Sequence, residues 1–354
     1  MRSLLAAQLR GARKLVVSEV PEPVAGPGEI IVCVKAASIC GTDLRLFSSG
    51  LDGVGDDSPR ILGHEFAGDV WHVGDGVREV GAGDPVVVAP NIGCGSCDNC
   101  LNNRPHLCMN LRAIGISLDG GFAQFVRIPA DAVSGGNVFR IPSGITYDHA
   151  CLNEAVACCY HGFEACQVNP GDAGLVVGAG PIGVIHMLLL KKAGVFPVIV
   201  SDFASDRLRV AHELGADIVV NPTEEDLASV VRDLTVGRGA DIIIIACPSP
   251  SAQAESLSLA RAGGRINFFG GLPPTAGPVK LDTNLIHYRE LIVTGTTRSG
   301  NRHFRKTLDL LADGYIPSES LVTGTYTLSD IHKAFEAAAS GRHMKVVVRP
   351  NGIV

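Results

Sequence analysis

The sequence lacks any extended cluster of lysine and arginine, and it lacks long apolar runs. Its 354 residues carry 30 basic and 36 acidic side chains, a formal net charge of −6, which argues against a nucleic-acid-binding surface. The longest apolar runs, such as Ile242–Cys247, have the length of a strand, and the apolar stretch Leu4–Ala7 is too short for a signal sequence or a membrane span. We therefore expect a cytoplasmic protein with no nucleic-acid or membrane partner.

Glycine, by contrast, is abundant. The 42 glycines make up about 12% of the chain, against a usual ~7%. They are spread through apolar segments, which indicates tight turns and close backbone approaches and excludes low complexity. At about 150 residues per domain, the length predicts two domains. The eleven cysteines are expected to be thiols and metal ligands rather than disulfides.

The pattern of predicted secondary structure changes near residue 150. Before that point, short β-branched runs such as Glu29–Lys35 and Pro85–Ala89 are separated by Gly, Pro and Asp, which predicts a β-rich region. From about residue 170, six strand candidates alternate with helical stretches, which predicts an α/β domain with a doubly wound parallel sheet. The strand candidates are Gly174–Val177, Pro197–Ser201, Asp217–Asn221, Ala240–Cys247, Arg265–Gly270 and Glu290–Gly295.

A glycine-rich turn follows the first of these strands. Val176–Gly183 reads V-V-G-A-G-P-I-G, so Gly178, Gly180 and Gly183 fit G-x-G-x-x-G between a strand and a helix. Asp202 ends the next strand, where a carboxylate binds the ribose hydroxyls of NAD and repels the 2′-phosphate of NADP. The alternative is a glycine-rich strand-to-helix turn beside a surface aspartate. The context favours NAD binding.

Four cysteines lie within one short segment. Cys94, Cys97, Cys100 and Cys108 have the spacing C-x2-C-x2-C-x7-C, which suits a tetrahedral zinc ion with every position filled. An iron–sulfur cluster is the alternative, but the bacterial motif has a shorter last spacing followed by proline. Disulfides are a second alternative, disfavoured by the expected compartment. The pattern predicts a structural zinc lobe at about residues 93–110.

A second set of candidate metal ligands is dispersed. Ala37–Asp43 reads A-S-I-C-G-T-D, and His64 and Glu65 stand side by side between glycine-containing segments. Taken singly, Cys40 reads as a small core residue and His64 as a structural histidine. Taken together, a cysteine, a histidine and a glutamate suit a metal with an open position, as a Lewis acid requires.

In their order along the chain, these motifs resemble the zinc-containing medium-chain dehydrogenases, most closely the sorbitol (polyol) dehydrogenases and next the L-threonine dehydrogenases. The resemblance covers essentially the whole chain. It implies a GroES-like catalytic domain of residues 1–154 and 298–354, with a Rossmann NAD-binding domain of residues 155–297 inserted between them. It further implies two zinc ions per chain, one catalytic and one structural, NAD as cofactor, and a homodimer or homotetramer.

The resemblance also assigns roles to individual residues. Cys40 and His64 are implied ligands of the catalytic zinc, with Glu65 and Glu154 as direct or indirect carboxylate partners. Thr42 is implied in moving the substrate hydroxyl proton outward, although a hydroxyl that caps a helix is the simpler interpretation of it. The implied cofactor-binding residues are Gly178, Gly180, Pro181, Ile182, Gly183, Asp202, Arg207, Cys247, Phe269 and Gly270.

Three positions bear on the substrate. Arg45 stands where the family has a relay histidine, and because arginine stays protonated it cannot shuttle protons. It either contacts an anionic substrate group such as a phosphate or is a solvated surface residue. Leu46 replaces an aromatic residue near the substrate of sorbitol dehydrogenases, so a differently shaped pocket is expected. Arg298 matches an arginine that lines the active site of that family.

The expected reaction is the reversible, zinc-dependent and NAD-linked oxidation of a secondary hydroxyl of a polyol, sugar or polyol phosphate to the ketone. An L-threonine-type amino-alcohol dehydrogenase is the alternative. Glu154 favours a polyol, since threonine dehydrogenases tend to have Asp-Pro at that position. A non-catalytic NAD-binding sensor on the same fold is the alternative from another class. It is disfavoured because Cys40, His64 and Glu154 are all present.

Overall fold

The computed structural model describes residues 3–352. The chain divides into two units, residues 1–157 with 298–354 and residues 158–297. The first division follows Ala157, three residues after the predicted boundary at residue 154, and both points lie inside one helix, Asn153–Ala165. No glycine, proline or change of composition marks that point of the sequence.

The first part of the chain is rich in short strands, as the β-branched runs predict. The strands are β1 (Ser3–Leu9), β2 (Leu15–Pro21), β3 (Ile30–Ser38), β4 (Arg60–Ile61), β5 (Glu65–Val73), β6 (Pro85–Val88), β7 (Asn91–Ile92), β8 (Arg112–Ala113), β9 (Phe125–Ile128) and β10 (Val138–Arg140). The helices are α1 (Gly41–Ser49), α2 (Asp98–Leu101), α3 (Ala130–Ser134), α4 (Tyr147–Ala150) and α5 (Asn153–Ala165).

Strands and helices then alternate before the chain returns to the first unit. The strands of the second unit are β11 (Gly174–Val177), β12 (Val198–Ser201), β13 (Ile218–Val220), β14 (Ala240–Ile245), β15 (Ala260–Phe268) and β16 (Ile292–Gly295). Its helices are α6 (Pro181–Lys192), α7 (Ser205–Glu213), α8 (Leu227–Leu234), α9 (Pro250–Leu259) and α10 (Thr283–Tyr288). The returning segment contains α11 (Asn301–Ala312), α12 (Ser318–Leu321), β17 (Val322–Thr327), α13 (Ile331–Ala339) and β18 (Lys345–Arg349).

The first unit is organised by one large sheet. Its strands follow the order β10-β6-β5-β3-β18-β17, with β9 also paired to β3, and smaller sheets β2-β1-β4 and β7-β8 accompany it. The N-terminal and C-terminal parts of the chain therefore share one ladder, since β18 pairs antiparallel with β3. Its apolar core includes the fully buried Phe66 and Phe122. This sheet brings the candidate metal ligands together.

The second unit is the predicted doubly wound sheet. Its six parallel strands follow the order β13-β12-β11-β14-β15-β16, and helices connect successive strands. The strand predicted at residues 265–270 begins earlier, at Ala260, because Ala260 pairs with Ala240 ahead of an irregularity in the ladder. In residues 3–352, no helix is both long and apolar enough to cross a membrane.

Candidate metal centres and cofactor site

The register of β3 and β5 explains how two separate motifs meet. The two strands are antiparallel, and Ser38 pairs with Glu65 at one end of the ladder. The segment after β3 therefore runs beside His64 and Glu65. Cys40 lies on that segment as the N-cap of α1.

The sulfur of Cys40, a ring nitrogen of His64 and a carboxylate oxygen of Glu65 lie within 4.8 Å of one another. His64 and Glu65 are buried, with 5% and 1% of their surfaces exposed, and Cys40 is half-buried. The Oε1 atom of Glu65 has no hydrogen-bond partner within the described residues. A buried carboxylate oxygen without a partner is costly, and a divalent cation would satisfy it. A thiolate, an imidazole and a carboxylate are the donor types that zinc prefers, so these residues fit the metal.

Asp43 is a fourth member of this site that the sequence analysis did not single out. Its buried carboxylate accepts the Cys40 N–H at 2.9 Å and the Gly63 N–H at 3.3 Å, and it lies 3.4 Å from Nδ1 of His64. A carboxylate beside Nδ1 orients the imidazole and leaves Nε2 for a metal. An acidic residue three positions after the helix N-cap is a capping signature, and that signal in C-G-T-D could have identified Asp43.

Electrostatics at this site are dominated by negative groups. Burial alone would lower the pKa of His64, but the charges of Asp43 and Cys40 outweigh it and raise that pKa well above its usual range. The site also contains one buried cation, Lys345, whose Nζ lies 2.5 Å from Oε2 of Glu65. Burial alone would lower the pKa of Lys345, but Glu65 and Cys40 raise it. The protein thus assembles an anionic pocket with one lysine behind it.

Of the other residues predicted near this site, four lie on α1 and α5. Thr42 is half-buried, and the exposed guanidinium of Arg45 donates to its Oγ1 at 3.5 Å. Leu46 packs against the apolar core of the unit, so its predicted contact with substrate stays a prediction. Glu154 is buried in the first turn of α5 but lies outside the group of three clustered ligands. Its role toward the metal therefore also stays a prediction.

Arg298 is the first residue of the returning segment. It is exposed and has a φ of +55°, a left-handed conformation that few non-glycine residues adopt. The next residue is anchored, because Asn91 donates from its side chain to the Ser299 carbonyl at 3.3 Å. The predicted contact of Arg298 with substrate is not tested by these features and remains a prediction.

The four-cysteine lobe has the geometry of a closed zinc site. The ligand atoms of Cys94, Cys97, Cys100 and Cys108 lie within 4.8 Å of one another. Sulfur–sulfur distances are 4.0 Å for Cys94–Cys100, 3.5 Å for Cys97–Cys100 and 3.8 Å for Cys97–Cys108. A tetrahedral ion with zinc–sulfur bonds of about 2.3 Å requires sulfurs about 3.8 Å apart. The lobe fits a structural zinc ion and contains no disulfide among these free thiols.

The cysteines of the lobe differ in how readily they ionise. The backbone N–H and the hydroxyl of Ser96, followed by the Cys97 N–H, lower the pKa of Cys94 to about 6. Burial raises the pKa of Cys100 to about 12, a cost that a bound cation would remove, since the thiolate is the metal ligand. The two shifts are opposite in direction.

The predicted dinucleotide turn joins β11 to α6. Gly180 is the N-cap of α6 and Pro181 its first residue, so the free N–H groups of Ile182 and Gly183 lie at a helix N-terminus, where an anion binds. Gly178 has a φ of +105°, and a Cβ on Gly183 would lie 1.7 Å from the Gly178 carbonyl oxygen. Both positions therefore require glycine for the turn to close.

Asp202 directly follows β12 and is fixed beside this turn. Its Oδ2 accepts the Ala179 N–H at 2.7 Å, its Oδ1 accepts the Ala204 N–H at 2.9 Å, and Arg207 lies 3.9 Å from Oδ2. The carboxylate thus borders the glycine turn at the carboxyl end of the sheet. A parallel sheet of this type binds nucleotides at that end.

A cavity of about 610 Å³ opens at this edge of the second unit, a volume typical of ligand sites. Asp202, Arg207 and Cys247 line it together with Phe203, an exposed aromatic ring that the sequence analysis did not single out. Burial raises the pKa of the Cys247 thiol. The cavity suits the adenosine portion of a dinucleotide.

The two remaining cofactor candidates lie after β15. Gly270 packs so closely on Cys247 that a Cβ there would lie 2.4 Å from the Cys247 carbonyl oxygen. The ring of Phe269 packs edge-on against His186, with centroids 4.6 Å apart. His186 is fully buried, and neither of its ring nitrogens has a hydrogen-bond partner among the described residues.

Comparison with protein families matches both halves of the chain. Residues 26–140 match the family model described as alcohol dehydrogenase GroES-like domain. Residues 181–313 match the model described as zinc-binding dehydrogenase. The first match contains both candidate metal centres apart from Glu154 and Lys345, and the second begins inside the glycine turn.

Individual proteins are similar over nearly the whole chain. The L-threonine 3-dehydrogenase of Thermococcus kodakarensis is 34% identical over 360 residues, covering 99% of this chain and 98% of the relative. The sorbitol dehydrogenase of Bacillus subtilis is 30% identical over 356 residues, with 99% and 98% covered. A solved structure described as a short chain alcohol dehydrogenase from E. coli CFT073 complexed with cofactor NADH has a TM-score of 0.90 at 29% identity, covering 99% of this chain and 100% of that one.

Proposed function

Because this chain belongs to the zinc-containing medium-chain dehydrogenases, we propose that it oxidises the secondary hydroxyl of a polyol, sugar or polyol phosphate to the ketone. Family membership itself establishes an NAD-dependent zinc alcohol dehydrogenase that acts on a small-molecule alcohol. The observation that carries the proposal is the buried cluster of Cys40, His64 and Glu65. Three protein ligands are the usual set for a catalytic zinc that keeps one position open.

The chain's own residues have distinct tasks in this reaction. Cys40, His64 and Glu65 would hold the metal, and Asp43 would orient the His64 ring from beside Nδ1. When bound, zinc supplies Lewis-acid polarisation of the hydroxyl and NAD accepts the hydride. Thr42 moves the hydroxyl proton outward at its Oγ1. Because Arg45 stays protonated, the proton then passes to water rather than to a side chain of α1.

Arg45 supports a phosphorylated substrate within this class. Its guanidinium lies one helical turn after Cys40 and donates to Thr42, and it forms no ion pair with any carboxylate of residues 3–352. An unpaired guanidinium beside a proton-transfer hydroxyl is suited to an anionic group on the substrate. We assign Arg298 the same kind of role, as a donor to a hydroxyl or phosphate.

Oxidation of L-threonine at its secondary hydroxyl is the second candidate function. Several relatives at 34–36% identity are named L-threonine 3-dehydrogenase, including those of Thermococcus kodakarensis and Pyrococcus abyssi. The same metal cluster would serve that reaction, since threonine also carries a secondary hydroxyl next to a polar group. Glu154 is the residue that favours the polyol.

One substrate panel tests both candidates. The zinc-loaded protein is incubated with NAD or NADP and with free polyols, sugars, polyol phosphates, inositols, simple alcohols or L-threonine, and NADH formation is followed at 340 nm. Turnover of a polyol or its phosphate with NAD is the expected result. Turnover of L-threonine as the sole good substrate would replace the polyol proposal by the second candidate.

A further inference from the structure

A buried lysine lies directly behind the candidate catalytic metal centre. Lys345 is the first residue of β18, with 5% of its surface exposed. The pairing of β18 with β3 matches Val347 to Ser38, which brings Lys345 beside the segment that carries Cys40. Its Nζ donates to the Ile39 carbonyl at 3.1 Å. A buried ammonium group is costly unless it is paired, so its position calls for a specific explanation.

Lys345 makes the two carboxylate oxygens of Glu65 inequivalent. Oε2 of Glu65 accepts from Lys345 Nζ at 2.5 Å, whereas Oε1 has no hydrogen-bond partner within residues 3–352. The same carboxylate belongs to the group of three clustered ligands. One oxygen is therefore tied to the lysine and the other is left for the metal.

The charge balance of the site gives the lysine a second effect. The Cys40 thiolate and the Glu65 carboxylate together cancel the two charges of a zinc ion. The carboxylate of Asp43, beside the neutral imidazole of a metal-bound His64, adds one further negative charge, and the ammonium group of Lys345 offsets it. A positive charge within the pocket opposes binding of a cation and weakens the carboxylate as a donor.

We propose that Lys345 is a positioning residue that restrains Glu65 to a single donor oxygen, Oε1, and limits how tightly this carboxylate binds the catalytic metal. Restraint of this kind keeps a coordination position free for the substrate hydroxyl. The proposal rests on the metal cluster of the proposed function. It does not depend on which alcohol is oxidised.

The test compares Lys345→Met with Lys345→Arg and measures metal binding as well as activity. Zinc affinity is obtained by competition with a chromophoric chelator, and the four-cysteine zinc of each variant serves as an internal reference. Lys345→Met, which removes the charge but keeps the length, is expected to bind the catalytic zinc about tenfold more tightly, a size typical of groups that contact metal ligands. Its cobalt-substituted form is expected to show an altered visible spectrum. Lys345→Arg, which keeps the positive charge, is expected to retain the wild-type zinc affinity and cobalt spectrum.

Two further variants separate positioning from packing. Glu65→Gln combined with Lys345→Met is expected to erase the gain in zinc affinity, because the lysine acts through Glu65. Lys333→Met removes an exposed lysine paired with Asp330 in the same unit and is expected to change neither affinity nor spectrum. If Lys345→Met fails to fold, Lys345→Gln takes its place in the same measurements.

Unchanged or weaker zinc binding in the folded Lys345→Met variant, with an unchanged cobalt spectrum, would overturn the proposal. Such a result would make the lysine a purely structural partner of Glu65. If zinc affinity changes as expected but the protein oxidises none of the tested alcohols, the role of Lys345 stands. Only the proposed substrate class is then refuted.

Discussion

Replacing Gly183 with alanine tests whether the glycine turn needs glycine in order to fold. Replacing Gly180 with serine tests whether the turn needs glycine in order to bind the cofactor. A Cβ on Gly183 would lie 1.7 Å from the Gly178 carbonyl oxygen. Both atoms belong to rigid main chain, so the turn must open until they are at least 3.0 Å apart. A Cβ on Gly180 meets no atom within 4 Å, and its φ of −70° suits any residue.

The two variants are therefore expected to fail in different ways. Overpacking of this kind costs about 3 kcal/mol, so in a chain of 354 residues Gly183→Ala should lower the melting temperature by roughly 4 °C. Serine is at least as good as glycine at a helix N-cap, so Gly180→Ser should melt within about 2 °C of wild type. Its Cβ and hydroxyl, however, occupy the space through which a pyrophosphate approaches the helix N-terminus, and NADH binding should weaken at least ~10-fold.

Melting is followed by calorimetry without cofactor, and binding by the fluorescence of NADH. A Gly183→Ala protein as stable as wild type would refute the steric argument for the turn. A Gly180→Ser protein that binds NADH with wild-type affinity would refute the placement of the pyrophosphate at this helix N-terminus.

Three further predictions concern single side chains. Burial lowers the pKa of His186 to about 3, so the folded protein excludes a proton that the unfolded chain takes up below about pH 6.5. The free energy of unfolding is therefore highest above that pH and falls by about 3 kcal/mol by pH 4. His186→Leu should remove that loss in urea denaturation at pH 7 and pH 4, and an equal loss in both proteins would contradict the assignment. Arg45→Ala should raise KM for a polyol phosphate about 10- to 100-fold, as loss of a charge-assisted hydrogen bond does, with little change for the unphosphorylated polyol; an equal change for both would make Arg45 a surface residue. Asp202→Ser should weaken NAD binding about tenfold and improve NADP use beside Arg207, and unchanged discrimination in the 340 nm assay would refute the role of the carboxylate.

Local signals predicted the second unit well. The strand Gly174–Val177 agrees residue for residue with β11, and α6 begins at the predicted Pro181. These elements are marked by an apolar run, by glycines and by proline at a helix start, all of which act within a few residues. The family comparisons confirm the predicted fold class, the zinc-dependent dehydrogenase family, and zinc and NAD as cofactors. The homodimer or homotetramer stays a prediction.

Contacts between distant segments could not be predicted from local pattern. Lys345 meets Glu65 across 280 residues because β18 pairs with β3, and a lysine that opens an apolar strand carries no sign of its partner. Asp43 was present in a quoted motif, but its contact with His64 depends on the register of β3 and β5. Leu46 packs against the core, and its contact with substrate, implied by the resemblance, stays a prediction.

The claim that the Cys40, His64 and Glu65 cluster carries the oxidation is tested most directly by metal content and rate in the same sample. A chelator is titrated into the enzyme until one of two zinc ions is removed, and NADH formation and NADH binding are measured at each step. We predict that the rate falls in proportion to the lost zinc, that NADH still binds, and that added zinc restores the rate. Full activity after loss of the zinc held by Cys40, His64 and Glu65 would contradict the account. Full activity in a folded His64→Ala variant that retains only the four-cysteine zinc would contradict it as well.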